Sequence, residues 1–230
     1  MNQDKMWDYY QTEGLDNFAP AAPRLSFLFR RARREARRAS GPRVLNIGVG
    51  SGWLERRCLE EGWETYSLDP SEAAVRKLEG SGVRGTVGRI EDIPHEDDFF
   101  DIVFCSEVLE HLPPPQARRA VREVARVLKT SGVLLGTVPF NEDLSRERVV
   151  CPSCGDVFHR KGHFQSFDLD GLRAVFPDDL KVESAAVTYF YDWRSLNWKG
   201  KLIALAKQGL IRLGAHGVNE NIFFVARKSA

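Results

Sequence analysis

The stretch Val44-Leu45-Asn46-Ile47-Gly48-Val49-Gly50-Ser51-Gly52 decides how the rest of the chain is read. Val44, Leu45 and Ile47 form a short apolar run with β-branched residues, as a buried strand requires, and a glycine-rich turn ends it. Helical spacing follows from Trp53 to Glu61 and closes at Gly62. A strand that turns through glycines into a helix lets the backbone approach a ligand closely and aims helix N–H groups at it.

Downstream the same rhythm repeats. Thr65 to Leu68 reads as a second strand, Asp69 and Pro70 as a turn, and Ser71 to Leu78 as a helix. Gly85 to Val87 is a short third strand, and FFDIVFC (99–105) suits a strand covered on both faces. Pro113 to Pro115 open a helix that places Ala117, Val121, Val124 and Leu128 on one face and Arg118, Arg119, Arg122 and Arg126 outside. Thr130, Ser131 and Gly132 are expected to end it before a strand from Val133 to Val138. Parallel strands need a helical crossover between them, so the alternation predicts an α/β fold. The expected form is a doubly wound, mostly parallel seven-stranded sheet with helices on both faces, its last strand (Asn221–Ala226) antiparallel, plus a small Cys/His-containing insertion. The divisions are an N-terminal helical segment (1–42), a ligand-binding core (43–140), the insertion (141–167) and a C-terminal part (168–230). In the last, Asp168 caps a helix ending at Pro177, Lys181 to Tyr191 alternates as a strand, and 195–213 is an amphipathic helix.

With 230 residues, 43% hydrophobic and 28% charged, the chain has enough apolar material for one substantial domain and is no disordered or disulfide-dense scaffold. Thirty-three Lys and Arg against 32 Asp and Glu leave a net charge of +1, so no global field recruits nucleic acid or an anionic membrane. The opening MNQDKMWDYYQTEG lacks the pattern of a secretory leader, and a cytoplasmic location is expected. Seven arginines lie between Arg24 and Arg38, either as the solvated face of a helix or as a local patch for an anionic substrate or lipid. In 195–213 the stripe Leu202, Ile203, Ala206, Leu210 and Leu213 is expected to pack on the sheet edge, with Lys199, Lys201, Lys207 and Arg212 off it. Peripheral membrane contact through such basic helices is the alternative.

Asp69 stands about 20 residues beyond the glycine turn, where a carboxylate can accept both hydroxyls of a ribose, so turn and acid together indicate an adenosine-containing ligand. Trp53 occupies the position where a dinucleotide fingerprint needs a small residue, and the loop has no lysine to serve as a P-loop.

In this order the motifs resemble the class I S-adenosylmethionine-dependent methyltransferases over residues 43 to about 140. The resemblance implies S-adenosylmethionine as cofactor, with Gly48, Gly50 and Gly52 against its methionine part and Asp69 on its ribose. GRIEDIP (88–94) resembles the adenine-binding segment, implying a contact from Ile90, Glu91 or Asp92, and Phe99 to Leu112 resembles the fourth strand and its loop, which brings Ser106 to the cofactor. Two positions depart from the pattern: Asn46 stands where the family commonly has an acid, and Arg89 where many relatives carry an aspartate. Asparagine keeps an acceptor and loses the charge. The implied activity is methyl transfer to a small-molecule acceptor such as a metabolite, sugar or lipid precursor. The alternatives are a cofactor-binding protein without catalysis and a zinc-containing module that directs methylation of a protein or RNA.

Transfer from a sulfonium is an in-line displacement in which the protein supplies mainly alignment, and a base is needed only if the acceptor must lose a proton. His111 and His163 are the candidate catalytic residues, with Glu107 and Glu110 beside the first; the competing reading of His111 is a ring fixed at the head of a helix. Tyr189, Tyr191 and Trp193 line an acceptor pocket or are ordinary strand-end aromatics. CPSCGDVFHRKGH (151–163) spaces Cys151, Cys154, His159 and His163 as C-x2-C-x4-H-x3-H, a sulfur and nitrogen set that suits one structural zinc. A metal-free loop with His163 facing the active site and a redox dithiol are the other readings, and DNA reading does not follow from the spacing. In related methyltransferases this region contributes to an acceptor lid. The oligomeric state is open.

Overall fold

The computed structural model describes residues 3–37 and 41–229. The chain runs α1 (Gln3–Thr12), a 3-10 segment (Leu15–Ala21), α2 (Ala22–Ala36), β1 (Arg43–Ile47), α3 (Trp53–Glu60), β2 (Glu64–Asp69), α4 (Glu72–Arg76), β3 (Arg84–Val87) and β4 (Phe100–Ser106). It continues through α5 (Pro114–Val127), β5 (Leu128–Pro139), β6 (Arg148–Val150), β7 (Val157–His159), α6 (Leu169–Arg173), β8 (Leu180–Thr188), α7 (Trp198–Arg212) and β9 (Asn221–Lys228). Arg38 and Ser40, at the end of the arginine-rich stretch, lie outside the described residues.

A seven-stranded sheet has the order β3-β2-β1-β4-β5-β9-β8. β1, β2, β3, β4 and β5 pair in parallel, and β9 runs antiparallel between β5 and β8, as expected for the last strand. Alternation along the buried strands feeds two cores. On one face Leu45, Val103, Leu134 and Phe224 meet Ala117, Val121 and Val124 of α5, the face read from helical spacing. On the other, Val44, Ile102, Phe104 and Leu135 meet Leu28, Phe29 and Ala32 of α2 and Leu54 and Cys58 of α3. Trp53 stands edge-on to Phe29, ring centroids 6.1 Å apart, so the bulky residue that departs from the dinucleotide pattern secures α2.

Three elements differ from expectation. β5 begins at Leu128, where Phe100 pairs with Leu128 before the register shifts, so residues expected to end α5 already belong to the sheet. The helical segment expected at 1–42 is broken into α1, the 3-10 segment and α2. The stripe of α7 points the other way: Ala204 and Ile211 face the protein, while Leu202, Ile203, Leu210 and Leu213 are exposed. No helix of the described residues is long and apolar enough to cross a membrane.

The sheet is tightest where β5 passes β9. A Cβ on Gly136 would lie 2.2 Å from Cζ of Phe224 and 2.5 Å from the carbonyl oxygen of Cys105, both closer than any packed carbon tolerates. Gly136→Ala is expected to lower unfolding stability by about 1–3 kcal/mol, read as a shift in the urea midpoint at unchanged slope.

Candidate active site

A cavity of about 1050 Å³ opens beyond the C-terminal ends of β1, β2, β4 and β5, with β1 and β4 marking the point where strand order reverses. Open parallel sheets bind ligands at that crevice. Its wall includes Gly48, Val49 and Gly50, and Gly48 and Gly50 have φ of 84° and 55°, a left-handed backbone that glycine adopts without steric cost. Gly52, at the N-terminus of α3, turns the chain without lining the wall.

Asp69 is 5% exposed at the end of β2. Its Oδ2 accepts from the Val49 N–H at 2.8 Å and its Oδ1 from the Ser71 N–H at 2.9 Å. Each oxygen keeps a further lone pair, so the carboxylate can also accept two ribose hydroxyls. Burial raises its pKa, and the two N–H bonds act against that rise. Ile90 and Glu91 reach the wall, whereas Asp92 is exposed in the turn closed by its N–H to the Arg89 carbonyl, off the wall. Ser106 lies on the wall, its Oγ accepting from Nε of Arg24 at 3.1 Å and standing 2.8 Å from Oγ1 of Thr137.

Asn46 turns inward. Its Nδ2 donates to the Gly48 carbonyl at 2.9 Å and to Oε1 of Glu55 at 2.7 Å, and the Ser67 hydroxyl donates to the same Oε1. Burial, the dominant cause, raises the Glu55 pKa. The acid that the family pattern leads one to expect at position 46 is replaced by an amide bonded to an acid on the next helix. Sequence reasoning missed Glu55, whose signal is only an acid on the inner face of an otherwise amphipathic helix.

The N-terminal segment covers this half of the cavity, with Trp7, Gln11 and Phe18 on the wall. The Ser71 hydroxyl donates to Asp8 at 2.7 Å, Lys77 donates to the Gln11 carbonyl, and Gln3 Nε2 donates to the His111 carbonyl at 3.0 Å.

His111, His163, Glu110 and Glu142 line the other half. The His111 Nδ1 lies 3.3 Å from the Gly162 carbonyl, and burial, helped by His163, pushes its pKa down to about 3. Burial therefore disfavours the imidazolium form of His111. His163 Nδ1 contacts Oε2 of Glu142, a carboxylate that sequence reasoning did not single out. Glu110 is buried, neither of its oxygens finds a hydrogen-bond partner among the described residues, and burial raises its pKa well above the ordinary carboxyl range. Tyr189 reaches the wall; Tyr191 and Trp193 do not.

The C-x2-C-x4-H-x3-H residues do not converge. His159 and His163 stack at 4.7 Å between ring centroids and meet Glu142, and the groups whose ligand atoms lie within 4.8 Å of one another are Glu142-His159-His163 and Glu110-His111-His163. Among the described residues neither cysteine joins such a group. The hairpin of β6 and β7 explains this: it holds the cysteines in its turn while His159 ends the returning strand.

Cys151 Sγ lies 3.4 Å from the Ser153 hydroxyl, and that bond, with the N–H groups of Cys154 and Ser153, lowers its pKa to about 6. Burial raises the thiols of Cys58 and Cys105. Iodoacetamide at neutral pH is therefore expected to label Cys151 well before Cys58 or Cys105, at a rate unchanged by a zinc chelator, as peptide mass spectrometry would show. A second prediction concerns Glu55. The native state holds this proton more tightly than the unfolded chain, so stability falls as pH rises from the ordinary carboxyl pKa through the raised native one, and Glu55→Gln is expected to remove that slope. Asn46→Asp, which sets two buried carboxyl groups together, should cost about 2–3 kcal/mol, restored when combined with Glu55→Gln.

A profile of the methyltransferase domain family matches residues 45–136. An uncharacterized protein of Methanocaldococcus jannaschii is 28% identical over 137 residues, covering 60% of this chain and 57% of that protein. The ubiquinone biosynthesis O-methyltransferase of Xanthomonas oryzae pv. oryzae is 33% identical over 102 residues, 41% of this chain and 42% of that one. The chain thus matches about half the length of these curated relatives. Among solved structures, the Burkholderia thailandensis 1,6-didemethyltoxoflavin-N1-methyltransferase, determined with 1,6-didemethyltoxoflavin and S-adenosylhomocysteine, superposes with a TM-score of 0.66 at 14% identity over 99% of this chain and 88% of that one. Residues 45–136 thus match the methyltransferase domain family, and the seven-stranded sheet that encloses them shares its fold with that solved methyltransferase.

Proposed function

We propose that the protein transfers a methyl group from S-adenosylmethionine to an O–H or N–H of a small organic acceptor, with His163 taking the proton. One observation carries this reading: a single cavity joins the glycine turn and Asp69 to the Glu142–His163 pair. S-adenosylmethionine supplies, when bound, a methyl group on a positively charged sulfur. The residues present fit it, since the turn at Gly48 and Gly50 admits close backbone approach and Asp69 retains acceptor capacity for a ribose. Glu142 orients His163 with its proton on Nδ1, leaving Nε2 as the acceptor for a proton. His111, kept neutral by burial, adds no charge beside it.

An acceptor of this size agrees with the names of two similar proteins, a ubiquinone biosynthesis O-methyltransferase and a 1,6-didemethyltoxoflavin-N1-methyltransferase. Zinc is not part of the proposal, because Cys151 and Cys154 stand apart from the two histidines.

The test uses radiolabelled S-adenosylmethionine with a panel of phenols, catechols and nitrogen heterocycles. His163→Ala is expected to lower kcat about 10²–10⁴-fold and Glu142→Gln less, while calorimetric affinity for S-adenosylhomocysteine stays unchanged in both. Asp69→Ala should weaken that affinity about 100-fold or more, through two lost charge-assisted bonds. Equal turnover in His163→Ala would remove the proposed base, and failure of the wild type to bind S-adenosylhomocysteine would remove the methyltransferase reading.

A further inference from the structure

We propose that α7 and the turn before it form an anchor that lies flat on the surface of an anionic lipid bilayer. The helix is inside out for one packed on a sheet edge. Ala204 and Ile211, two turns apart, face the protein, and Gln208 Nε2 ties this side to the Thr188 hydroxyl of β8 at 3.1 Å. The side chains turned outward are the large apolar ones: Leu213 is 84% exposed, Ile203 69% and Trp198 68%, and Leu202, Leu205 and Leu210 are each more than half exposed. At 100° per residue Leu202, Ala206 and Leu213 lie opposite Ala204 and Ile211, with Trp198 and Leu205 on one flank and Ile203 and Leu210 on the other. An apolar face this wide is not left in water by chance; contiguous exposed patches mark interaction surfaces.

Charge names the occupant. From Trp193 to Leu213 there is no Asp or Glu, but Arg194, Lys199, Lys201, Lys207 and Arg212. Lys201 and Arg212 border the apolar face on one side and Lys207 on the other, and Lys199 lies within it at the first turn; their long side chains can keep the cations at headgroup level while the face sinks among acyl chains. A second copy of the chain would cover the apolar face only by bringing these cations together. A nucleic acid would pair with the cations and leave the apolar face in water. An anionic bilayer satisfies both, and Trp198 and the nearby Trp193, which is 43% exposed, belong at such an interface. The span of α7, about 22 Å at 1.5 Å per residue, suits lying on a membrane and not crossing it.

The anchor adjoins the active-site mouth. The Lys207 Nζ lies 4.1 Å from the ring centroid of Tyr189, and Tyr189 and Phe190 are on the cavity wall. Docking would set that rim against the lipid. The proposal does not depend on the methyl-transfer reading, and its test uses no turnover.

The full chain is sedimented with vesicles of phosphatidylcholine alone and of phosphatidylcholine mixed with phosphatidylglycerol. Wild type is expected to pellet with the mixed vesicles, and to be released by salt, but to stay in solution with the neutral ones. Leu202→Ser/Ile203→Ser/Leu213→Ser, which alters only outward side chains and should keep the wild-type melting temperature, is expected to bind at least tenfold more weakly. Lys201→Glu/Arg212→Glu is expected to lose the preference for anionic vesicles. Failure of wild type to pellet with mixed vesicles, or equal binding by the apolar variant, would overturn the proposal. So would a lipid-free dimer, seen by sedimentation velocity, that the apolar variant abolishes.

Discussion

The floor of the large cavity rests on one carboxylate. Asp69 ends β2 and gathers the Val49 N–H of the glycine turn and the Ser71 N–H of the next turn, so two loops from neighbouring strands are fixed by one side chain. Ser71 in turn donates to Asp8 of α1, which extends the hold to the helix roofing the cavity. Buried N–H groups without partners are costly, so these loops cannot relax independently of the acid. A ribose that uses the remaining lone pairs would add to a position already set, and little ordering would be left to pay for on binding.

Behind that floor stands a second polar network with a different logic. Asn46, Glu55 and Ser67 share one oxygen, and burial keeps the acid toward its neutral form. A neutral acid beside an amide avoids the repulsion that two carboxylates would suffer, which explains how the glycine turn is braced without an acid at position 46. Where the resemblance leads one to expect an acid, the chain thus has an amide bonded to an acid of the next helix.

The glycine-turn side of the cavity was legible as local structure because local sequence determines it: glycines where the chain must turn left-handed, Asp69 at a strand end, and apolar runs that only a covered sheet accommodates. The histidine side of the cavity was legible in part. His163 stood out, but Glu142 lies between β5 and β6 in a stretch with no periodicity, and its partnership with His163 comes from the hairpin's path. The same path defeats the cysteine and histidine spacing, because a spacing reports reach along the chain, and strand pairing can carry side chains within reach apart. Periodicity likewise identified the stripe on α7 and gave the wrong side, since a helix wheel distinguishes two faces without saying which meets the protein. Ala204 and Ile211 decide it by fitting the sheet edge.

The contact of Gly136 with Phe224 has a consequence for the history of the sequence. Position 136 is closed from two sides, by the ring of Phe224 on β9 and by the carbonyl oxygen of Cys105 on β4, so shrinking the ring would lift only one of the two clashes. Change at 224, 88 residues away along the chain, therefore cannot by itself admit a side chain at 136, and the position is held as glycine for as long as β4, β5 and β9 keep this spacing.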